Sequence, residues 1–290
     1  MAITKPIKTR LKQLKEEYEK LKQDKESLLN IIYEAELPET VYNSNAIENS
    51  TLTIKETEKI LMELEISRNI SLREVFEAKN LAKVSEYIQG TAKNRGIDSD
   101  LILLFHKMLL ANIKDEIAGR YRRSGEYVRV GTYIAPPPEQ VERMIKNVIL
   151  EYESDIDGYF IDKIAKFHLE FEHTHPFIDG NGRIGRVLIN YQLISLGFPP
   201  LIVRNKEKEK YYSCFKEYEM NKKTNSMEKL LALALLESLH KRVAYLNGKK
   251  IIKLSEYAEE KRKPLNALLN AAKRQTVEAF RERGVWKIGI

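Results

Sequence analysis

The chain has 290 residues, of which 43% are hydrophobic and 31% are charged, as is typical of a globular protein with a substantial core. Its 49 basic and 42 acidic residues leave a net charge of +7, a modest excess that would mean little if it were evenly spread. The single cysteine, Cys214, excludes an intrachain disulfide and favours a reducing compartment, so we expect a cytoplasmic protein. No segment has the pattern of a signal peptide or a membrane span, so no membrane partner is expected.

Helical periodicity dominates the chain, so the predicted fold is mainly α. Leu11, Leu14 and Tyr18 lie near heptad spacing among Lys and Glu residues, which predicts an amphipathic helix over 7–33 that packs on the core. Further helices are predicted at 53–65, 71–94, 99–112, 138–153, 159–174, 207–221 and 225–246.

The only sheet that the pattern indicates in this helical region lies within 127–138. Gly131 can make a turn there, and the residues around it alternate as in a strand. The alternating residues are Val128, Val130, Thr132 and Ile134. This pattern predicts a short β-hairpin.

The most informative segment is the run of twelve residues from His175 to Arg186. Gly180 and Gly182 allow backbone conformations that approach a ligand closely, so the amides of residues 180–182 could form an anion-binding nest. A largely apolar helix is predicted from Arg183 onward, which places the nest at a helix N-terminus, where free N–H groups favour a phosphate.

The side chains of this run suit phosphate chemistry. Arg183 and Arg186 are three residues apart on one helix face and could fork onto phosphate oxygens. Asp179 could hold Mg²⁺ or Mn²⁺ against the same phosphates. His175 is the side chain best suited to accept a proton near neutral pH. Pro176 and Phe177 supply a rigid and an apolar anchor beside this base.

The remaining histidines do not match a zinc motif. His168, His173 and His175 are spaced by five and two residues, whereas a zinc helix needs two histidines at i and i+4 with a glutamate between them. We therefore expect His168 and His173 to be core or helix-terminal residues. His106 and His240 lie in apolar helical stretches and are expected only to pack.

The composition changes around 247–250, which predicts a linker between a large domain at 1–246 and a small one at 250–290. Short helices are predicted at 254–260 and 264–273, and a terminal strand or wing at 284–288. This C-terminal segment resembles a helix-turn-helix or winged-helix module. Its basic residues are Lys249, Lys250, Lys253, Lys261, Arg262, Lys263, Lys273, Arg274, Arg281, Arg283 and Lys287. They suit DNA phosphates, yet such modules also dock proteins or form homodimers, and the sequence leaves these alternatives open.

The run 175–186 resembles the signature of the Fic family, His-Pro-Phe-x-Asp/Glu-Gly-Asn-Gly-Arg-x-x-Arg, at every specified position. The resemblance implies a Fic-type helical bundle that transfers AMP from Mg·ATP to a protein hydroxyl. It implies that His175 is the general base and that Asp179 positions Mg²⁺. It assigns the α-phosphate to Asn181 and the neighbouring amides, and the β- and γ-phosphates to Arg183 and Arg186. Ile184 and Gly185, inside the signature, are counted with the nucleotide-binding residues.

A second segment, 44–49, resembles the inhibitory motif of the family, Ser/Thr-x-x-x-Glu followed by Gly or Asn. Ser44, Glu48 and Asn49 occupy its specified positions. A glutamate that reaches Arg186 would occupy the guanidinium needed for the γ-phosphate. The resemblance therefore implies that Glu48, in a segment around 38–52, lowers the basal rate.

The family also carries a hairpin flap that lies over the site and docks the target as an added strand. By this similarity Val130, Gly131, Thr132 and Tyr133 would border the nucleotide. Tyr211 and Tyr212 resemble a tyrosine pair that lines the adenine pocket, although a buried aromatic pair is an equally good interpretation.

These expectations make the chain a protein adenylyltransferase that modifies a Ser, Thr or Tyr hydroxyl of a target protein or of itself. Two alternatives stay open. Glu48 could instead orient a water that removes AMP from a modified protein, or the chain could be a DNA-binding regulator whose Fic core only senses nucleotide. The sequence does not identify the target, the preferred base of the nucleotide or the oligomeric state.

Overall fold

Helices form most of the computed structural model, which describes residues 3–65, 69–131 and 133–290. The first eight are α1 (Lys5–Leu21), α2 (Glu26–Ile47), α3 (Ile54–Leu61), α4 (Leu72–Thr91), α5 (Ser99–Leu110), α6 (Pro138–Ser154), α7 (Phe160–Thr174) and α8 (Asn181–Ser195). A 3₁₀ turn (Asn205–Glu207) leads into α9 (Lys208–Asn221) and α10 (Asn225–Leu246). The predicted mainly α fold is confirmed, and none of the described helices is long and apolar enough to cross a membrane.

Side-chain caps fix where several helices begin. Thr53 Oγ1 accepts a hydrogen bond from the Glu56 N–H at the start of α3, and Ser71 Oγ accepts one from the Glu74 N–H at the start of α4. An Asp98 carboxylate oxygen accepts a hydrogen bond from the Leu101 N–H at 2.7 Å and caps α5. These caps satisfy N–H groups that the first turn of a helix leaves without a backbone partner.

The N-terminal region differs from the sequence prediction. The helix predicted over 7–33 is two helices, because the polar segment between Leu21 and Glu26 breaks it and Asp24 takes a left-handed conformation (φ 57°). Helix α2 then continues through Pro38 to Ile47. A proline normally argues against a helix interior, since it lacks the N–H of the i to i−4 bond. The sequence therefore predicts no helix for the segment that leads into Glu48, whereas the structure has one.

Helix α8 lies at the centre of the molecule, between two hydrophobic clusters. Ile184, Val187 and Leu188 pack with α4, α5 and α7 in the first cluster. Ile189 and Leu193 pack with α1, α7 and α10 in the second. A helix that is apolar on most of its faces must be buried on most of them. The core therefore holds α8 rigidly, and with it the turn at its N-terminus.

The predicted hairpin is present as β1 (Arg129–Val130) and β2 (Tyr133–Ile134), which are antiparallel with Val130 opposite Tyr133. Gly131 makes the turn at φ 58°. Thr132 lies outside the described residues.

The C-terminal segment forms β3 (Ile251–Lys253), α11 (Leu254–Glu260), α12 (Leu265–Lys273), β4 (Ala279–Glu282) and β5 (Val285–Gly289). Its antiparallel sheet has the order β3-β5-β4, and its own small core is centred on Leu254, Ala272 and Ile288. Two short helices are thus followed by the β4–β5 hairpin. The sequence indicated β5 but missed β3 and β4, which are short. Strand β4 packs against α10, so this module lies on the rest of the chain.

Candidate active site

The signature forms the connection between α7 and α8. His175 ends α7 in a left-handed conformation (φ 47°) while its N–H still donates to the Phe171 carbonyl at 3.0 Å. Pro176 then prevents the helix from continuing. Gly180 (φ 86°) precedes α8, and a Cβ there would lie 3.1 Å from the Leu109 side chain. The chain thus reverses between two buried helices, with His175 beside the N-terminus of α8.

Helix α8 begins at Asn181, two residues earlier than predicted. Asn181 and Gly182 therefore belong to its first turn, and the expected nest of three amides is a helix N-terminus instead. N–H groups of a first turn have no acceptor within the helix and attract anions. The Asn181 side chain bonds reciprocally with the main chain of Phe177, at 2.9 Å in both directions. It therefore braces the turn, and the main-chain amides remain for a phosphate.

His106 of α5 contacts the turn between α7 and α8 through Phe177 and Asp179. Its ring stacks on Phe177 with 3.7 Å between the ring centroids. The Gly119 N–H donates to Nδ1 at 3.0 Å, so the proton sits on Nε2, which donates to the Asp179 carbonyl at 3.1 Å. Burial lowers the pKa of His106 to about 4, so this neutral tautomer persists at pH 7. The sequence predicts that His106 only packs; its hydrogen bond to the signature turn, at the Asp179 carbonyl, was not expected.

His175 has an environment that keeps its imidazole neutral. Burial lowers the pKa of His175 to about 4, and the nearby positive charge of Arg122 acts in the same direction. Its Nδ1 atom is buried without a hydrogen-bond partner in the described structure. A neutral ring nitrogen can accept a proton from a bound hydroxyl, which is what a general base requires.

Arg122 fixes the main chain around His175, and the sequence offered no signal for it. Its guanidinium donates to the carbonyls of His175 (2.8 Å), Pro136 (2.9 Å) and Glu126 (3.1 Å). The Arg122 N–H also donates to the Pro176 carbonyl at 3.0 Å. Arg122 thus ties the end of α7 to the segment that carries the hairpin.

This role predicts a stability effect. We expect Arg122→Gln to lower the free energy of unfolding by about 3 kcal/mol, because several buried carbonyls lose a charge-assisted donor. Urea unfolding measures the change. Arg143→Gln, on the exposed face of α6, is the matched control and should change the free energy by less than about 0.5 kcal/mol. Equal stability of the two variants would contradict the role.

Asp179 lies among three cations. Lys114 Nζ (2.9 Å) and Arg73 Nη2 (3.2 Å) contact its Oδ2, and Arg183 Nη2 contacts its Oδ1 at 3.1 Å. Burial raises the pKa of Asp179, but these cations outweigh it and lower the pKa below its usual value. Arg183 also pairs with Glu77 at 3.2 Å and is nearly fully buried. Glu77, Arg73 and Lys114 were not anticipated, because they come from α4 and the segment after α5.

The second arginine of the signature pairs with the 44–49 segment. Arg186 Nη2 lies 2.8 Å from Glu48 Oε1 and donates to the Ser44 carbonyl at 2.8 Å, while Nε donates to Ser44 Oγ at 2.9 Å. Nη1 is buried without a partner in the described structure. A Cβ on Gly182 would lie 2.2 Å from Glu48 Oε1, so this carboxylate lies directly against the first turn of α8. Asn49 follows in a left-handed conformation (φ 67°).

Glu172 adds a second carboxyl group to this region. Burial is the main cause that raises the pKa of Glu172 to about 8, and the negative charge of Glu48 acts in the same direction. Glu172 is therefore largely protonated at pH 7. A Cβ on Gly185 would lie 2.5 Å from its Oε1, so Gly185 faces α7. Ile184 is fully buried in the core, and neither residue offers a side chain to the α8 N-terminus.

The tyrosine pair lies behind Arg186. Tyr211 is 1% exposed, its hydroxyl is 2.7 Å from His168 Nε2, and the Arg186 guanidinium lies 5.8 Å from its ring centroid. Tyr212 donates to the Ile47 carbonyl at 2.9 Å and so holds the end of α2. Both tyrosines therefore support the Glu48–Arg186 pair.

The hairpin reaches the same region. The Tyr133 hydroxyl donates to the His173 carbonyl, and the Tyr133 ring stacks on the His173 ring with 5.4 Å between the centroids. This contact is two residues from His175. Val130 and Gly131 lie in the same hairpin, which borders the site. No cluster of three His, Cys, Asp or Glu side chains that could hold a metal occurs in the described part of the chain.

Comparison with known proteins finds similarity in the part of the chain that carries the signature. Residues 96–193 match the Fic/DOC family. The chain is 33% identical over 177 residues to a protein adenylyltransferase Fic of Nematostella vectensis, a match that covers 59% of this chain and 41% of the relative. The chain thus spans less than half the length of that protein.

Solved structures show the same fold. A Fic-domain-containing signaling protein from Bacteroides thetaiotaomicron superimposes with a TM-score of 0.73 at 25% identity, covering 83% of this chain and 98% of that one. A Fic family protein from Desulfovibrio desulfuricans aligns with a TM-score of 0.65 at 19% identity, covering 100% of this chain and 97% of that one. The latter shows that the whole arrangement, including the C-terminal module, occurs as one fold. Residues 96–193 thus match the Fic/DOC family model, and the fold around them is the one seen in these Fic-domain structures.

Proposed function

We propose that this chain transfers AMP from Mg·ATP to a Ser, Thr or Tyr hydroxyl of a protein, and that Glu48 holds the transfer rate low. One observation carries the proposal. His175 ends α7 just before the turn into α8, whose first amides have no acceptor within the helix, and Arg183 and Arg186 extend from the first turns of the same helix to Asp179 and Glu48. Relatives at 33% and 30% sequence identity carry the name of this activity, which supports the proposal.

The proposed step is an in-line displacement. The target hydroxyl oxygen attacks the α-phosphorus, the bond from that phosphorus to the bridging oxygen breaks, and pyrophosphate leaves with the bond electrons. The hydroxyl proton passes to His175. The amides of residues 181–183 and the two arginines would offset the phosphate charge. Positioning and charge stabilisation supply most of the catalysis in such reactions.

Magnesium or manganese fits beside Asp179. Mg²⁺ is commonly held by one or two carboxylates together with substrate phosphates. The Asp179 carboxylate is ionised, and its Oδ2 already attracts Lys114 and Arg73, so the position suits a cation. Bound there, the metal would neutralise phosphate charge.

The metal proposal predicts that Asp179→Asn lowers transfer by about 100-fold or more, since a charged ligand to the metal is lost. The rate is measured against Mg²⁺ concentration, with EDTA as the zero point. Glu77→Gln, which removes the other carboxylate on Arg183, serves as the matched control and should keep the wild-type Mg²⁺ dependence. Full activity of Asp179→Asn at low Mg²⁺ would show that Asp179 does not bind the metal.

The lowered pKa of His175 predicts an unusual pH profile. Transfer needs the neutral ring, so activity is kept above the pKa and lost as the pH falls through it. With a pKa of about 4, kcat/KM should fall less than about twofold between pH 7.5 and 5.5. A histidine of ordinary pKa would give a fall of about tenfold. Glu172 also titrates in this region, because its pKa is about 8. Measuring the pH dependence of kcat/KM in Glu172→Gln shows how much of the profile is due to Glu172.

The proposed function also implies a division of the chain into two parts. We assign residues 1–246 to the catalytic domain, with the inhibitory segment around 38–52, and 250–290 to the winged-helix-like module. The free thiol of Cys214 and the use of ATP support a cytoplasmic location. The edge of the hairpin supports a target segment that docks as an added strand.

The structure offers a reason to prefer the enzyme over a DNA-binding regulator. Arg281 and Arg283, in and beside the hairpin of the module, are paired with Glu237 and Glu58 of the helical region. A wing that is engaged in this way has less charge for DNA phosphates. Removal of AMP remains the alternative for the same site, because Glu48 keeps 37% side-chain exposure beside the amides of α8.

Intact-mass analysis tests the chemistry and the base. The Glu48→Gly variant is incubated in turn with ATP, GTP, UTP and CTP and with Mg²⁺. We expect an added mass of one nucleoside monophosphate with ATP. An added mass only with another nucleotide would correct the base, and an added phosphate would replace nucleotidyl transfer by phosphorylation.

A further inference from the structure

A second cleft lies between the helical region and the C-terminal module, and none of the residues 175–186 lines it. The 3₁₀ turn, α9 and α10 form one wall, and α12 and β5 form the other. Its volume is about 340 Å³. Ligand pockets begin near this size, so the cleft suits a molecule of about the size of a mononucleotide.

The charged lining of the cleft is strongly unequal in sign. Five cations face it, namely Arg204, Lys210, Lys229, Lys273 and Arg281. The carboxylates are Glu207 and Glu237. Five positive charges against two negative ones favour an anionic ligand.

The two arginines at the base are already neutralised. Arg204 pairs with Glu237 at 2.8 Å and also with Glu39 of α2. Arg281 pairs with Glu237 at 2.6 Å and with Glu207 at 3.3 Å. These contacts account for both carboxylates that line the cleft.

The excess charge therefore sits on three lysines at the rim. Lys210 lies on α9, Lys229 on α10 and Lys273 on α12, and all three are exposed. In the described part of the chain no carboxylate lies within 4.0 Å of their ammonium groups, which is the limit for an ion pair. Three lysines from three separate helices thus line one opening without an ion pair in the described part of the chain. The ammonium group of a lysine binds phosphate as a compact positive charge.

The remaining lining is largely apolar. Leu230, Leu233 and Ala234 of α10 line the cleft, and Trp286 of β5 lies across from them. The Arg281 guanidinium lies 4.6 Å from the Trp286 ring centroid. A ligand could thus place an apolar or planar body against these residues while its anionic group meets the lysines.

We propose that this cleft binds a small organic phosphate. The phosphate contacts Lys210, Lys229 and Lys273, and the carbon skeleton packs on Leu230, Leu233 and Trp286. Because the walls come from two parts of the chain, the bound molecule bridges the helical region and the C-terminal module. The site is independent of AMP transfer and of the nucleotide that transfer consumes.

The chain contains a single tryptophan, Trp286, so intrinsic tryptophan fluorescence reports on this cleft alone. The full-length protein is titrated with phenyl phosphate, which combines a dianionic group with an apolar ring. We expect a saturable change in fluorescence. Inorganic phosphate should bind about tenfold more weakly, since it lacks the apolar body, and phenol should give no saturable change.

The double variant Lys229→Gln, Lys273→Gln should bind phenyl phosphate about tenfold more weakly. Both lysines are exposed, and circular dichroism checks that the variant is folded. Lys216→Gln, which neutralises an exposed lysine of α9 outside the cleft, is the matched control and should bind as the wild type does. The proposal is overturned if phenyl phosphate gives no saturable change, if the double variant binds it with wild-type affinity, or if inorganic phosphate binds equally well.

Discussion

Replacing His175 by alanine should lower AMP transfer by about a thousandfold while ATP binding changes little. A positioned general base contributes roughly 10²–10⁴-fold, and His175 is the neutral base beside the α8 N-terminus. Binding should persist because the phosphates are held by the amides of α8 and the two arginines. Label transfer from ATP measures the rate, and isothermal calorimetry measures ATP binding.

His173→Ala is the matched control for this variant. His173 lies two residues away and its ring packs on Tyr133, so its loss disturbs the hairpin but removes no base. We expect the rate to fall by less than about tenfold. Transfer at the wild-type rate in His175→Ala would show that the base lies elsewhere, and a loss of ATP binding would show that His175 holds the nucleotide.

Replacing Glu48 by glycine should raise transfer by roughly ten- to a hundred-fold. Glu48 Oε1 contacts Arg186 at 2.8 Å and lies against Gly182, where the phosphates would sit. A charge-assisted contact of this kind is worth about 1.5–3 kcal/mol, and its loss shifts the population toward a competent site by that amount. Adding Arg186→Ala should cancel the gain, because the freed guanidinium is then missing.

The control for the Glu48 variant is Glu34→Gly, which removes an exposed glutamate from the same helix and should leave the basal rate unchanged. The gain should appear first as self-modification, seen by intact mass. If Glu48→Gly transfers no faster than the wild type, Glu48 does not inhibit. If the variant instead loses the ability to release AMP from a modified protein, Glu48 belongs to the removal reaction.

Much of the site could be predicted because its signals are local. The spacing of His175, Asp179, Arg183 and Arg186 is set by one turn and the first turns of one helix. The predicted start of α8, Arg183, is two residues after the observed start, Asn181. The reason is that Asn181 and Gly182 are weak helix formers, although they begin the helix.

What could not be predicted is set by contacts between distant segments. Arg122, His106 and Glu77 reach the signature from other elements, and their own neighbourhoods in sequence are unremarkable. The helix that leads into Glu48 was missed for a different reason, since Pro38 argues locally against a helix that tertiary packing stabilises.

The basic C-terminus illustrates the same limit. The count of Lys and Arg residues made DNA one of two possible partners, beside protein, but charge alone does not show which cations are paired. Arg281 is held by Glu237 of α10 and Arg283 by Glu58 of α3. Only the fold reveals that these two arginines hold the module against the helical region, whereas Lys273 lines a cleft.

The central claim is that this Fic site transfers the AMP moiety of ATP and that Glu48 restrains it. The most direct measurement compares protein labelling by ATP that carries ³²P at the α- or the γ-phosphate, using wild type and Glu48→Gly with Mg²⁺. The account predicts label from α-³²P-ATP only. The label should be stronger in Glu48→Gly than in the wild type, and it should be absent in the double variant Glu48→Gly, His175→Ala. Label from γ-³²P-ATP, or no label from either nucleotide in Glu48→Gly, would contradict it.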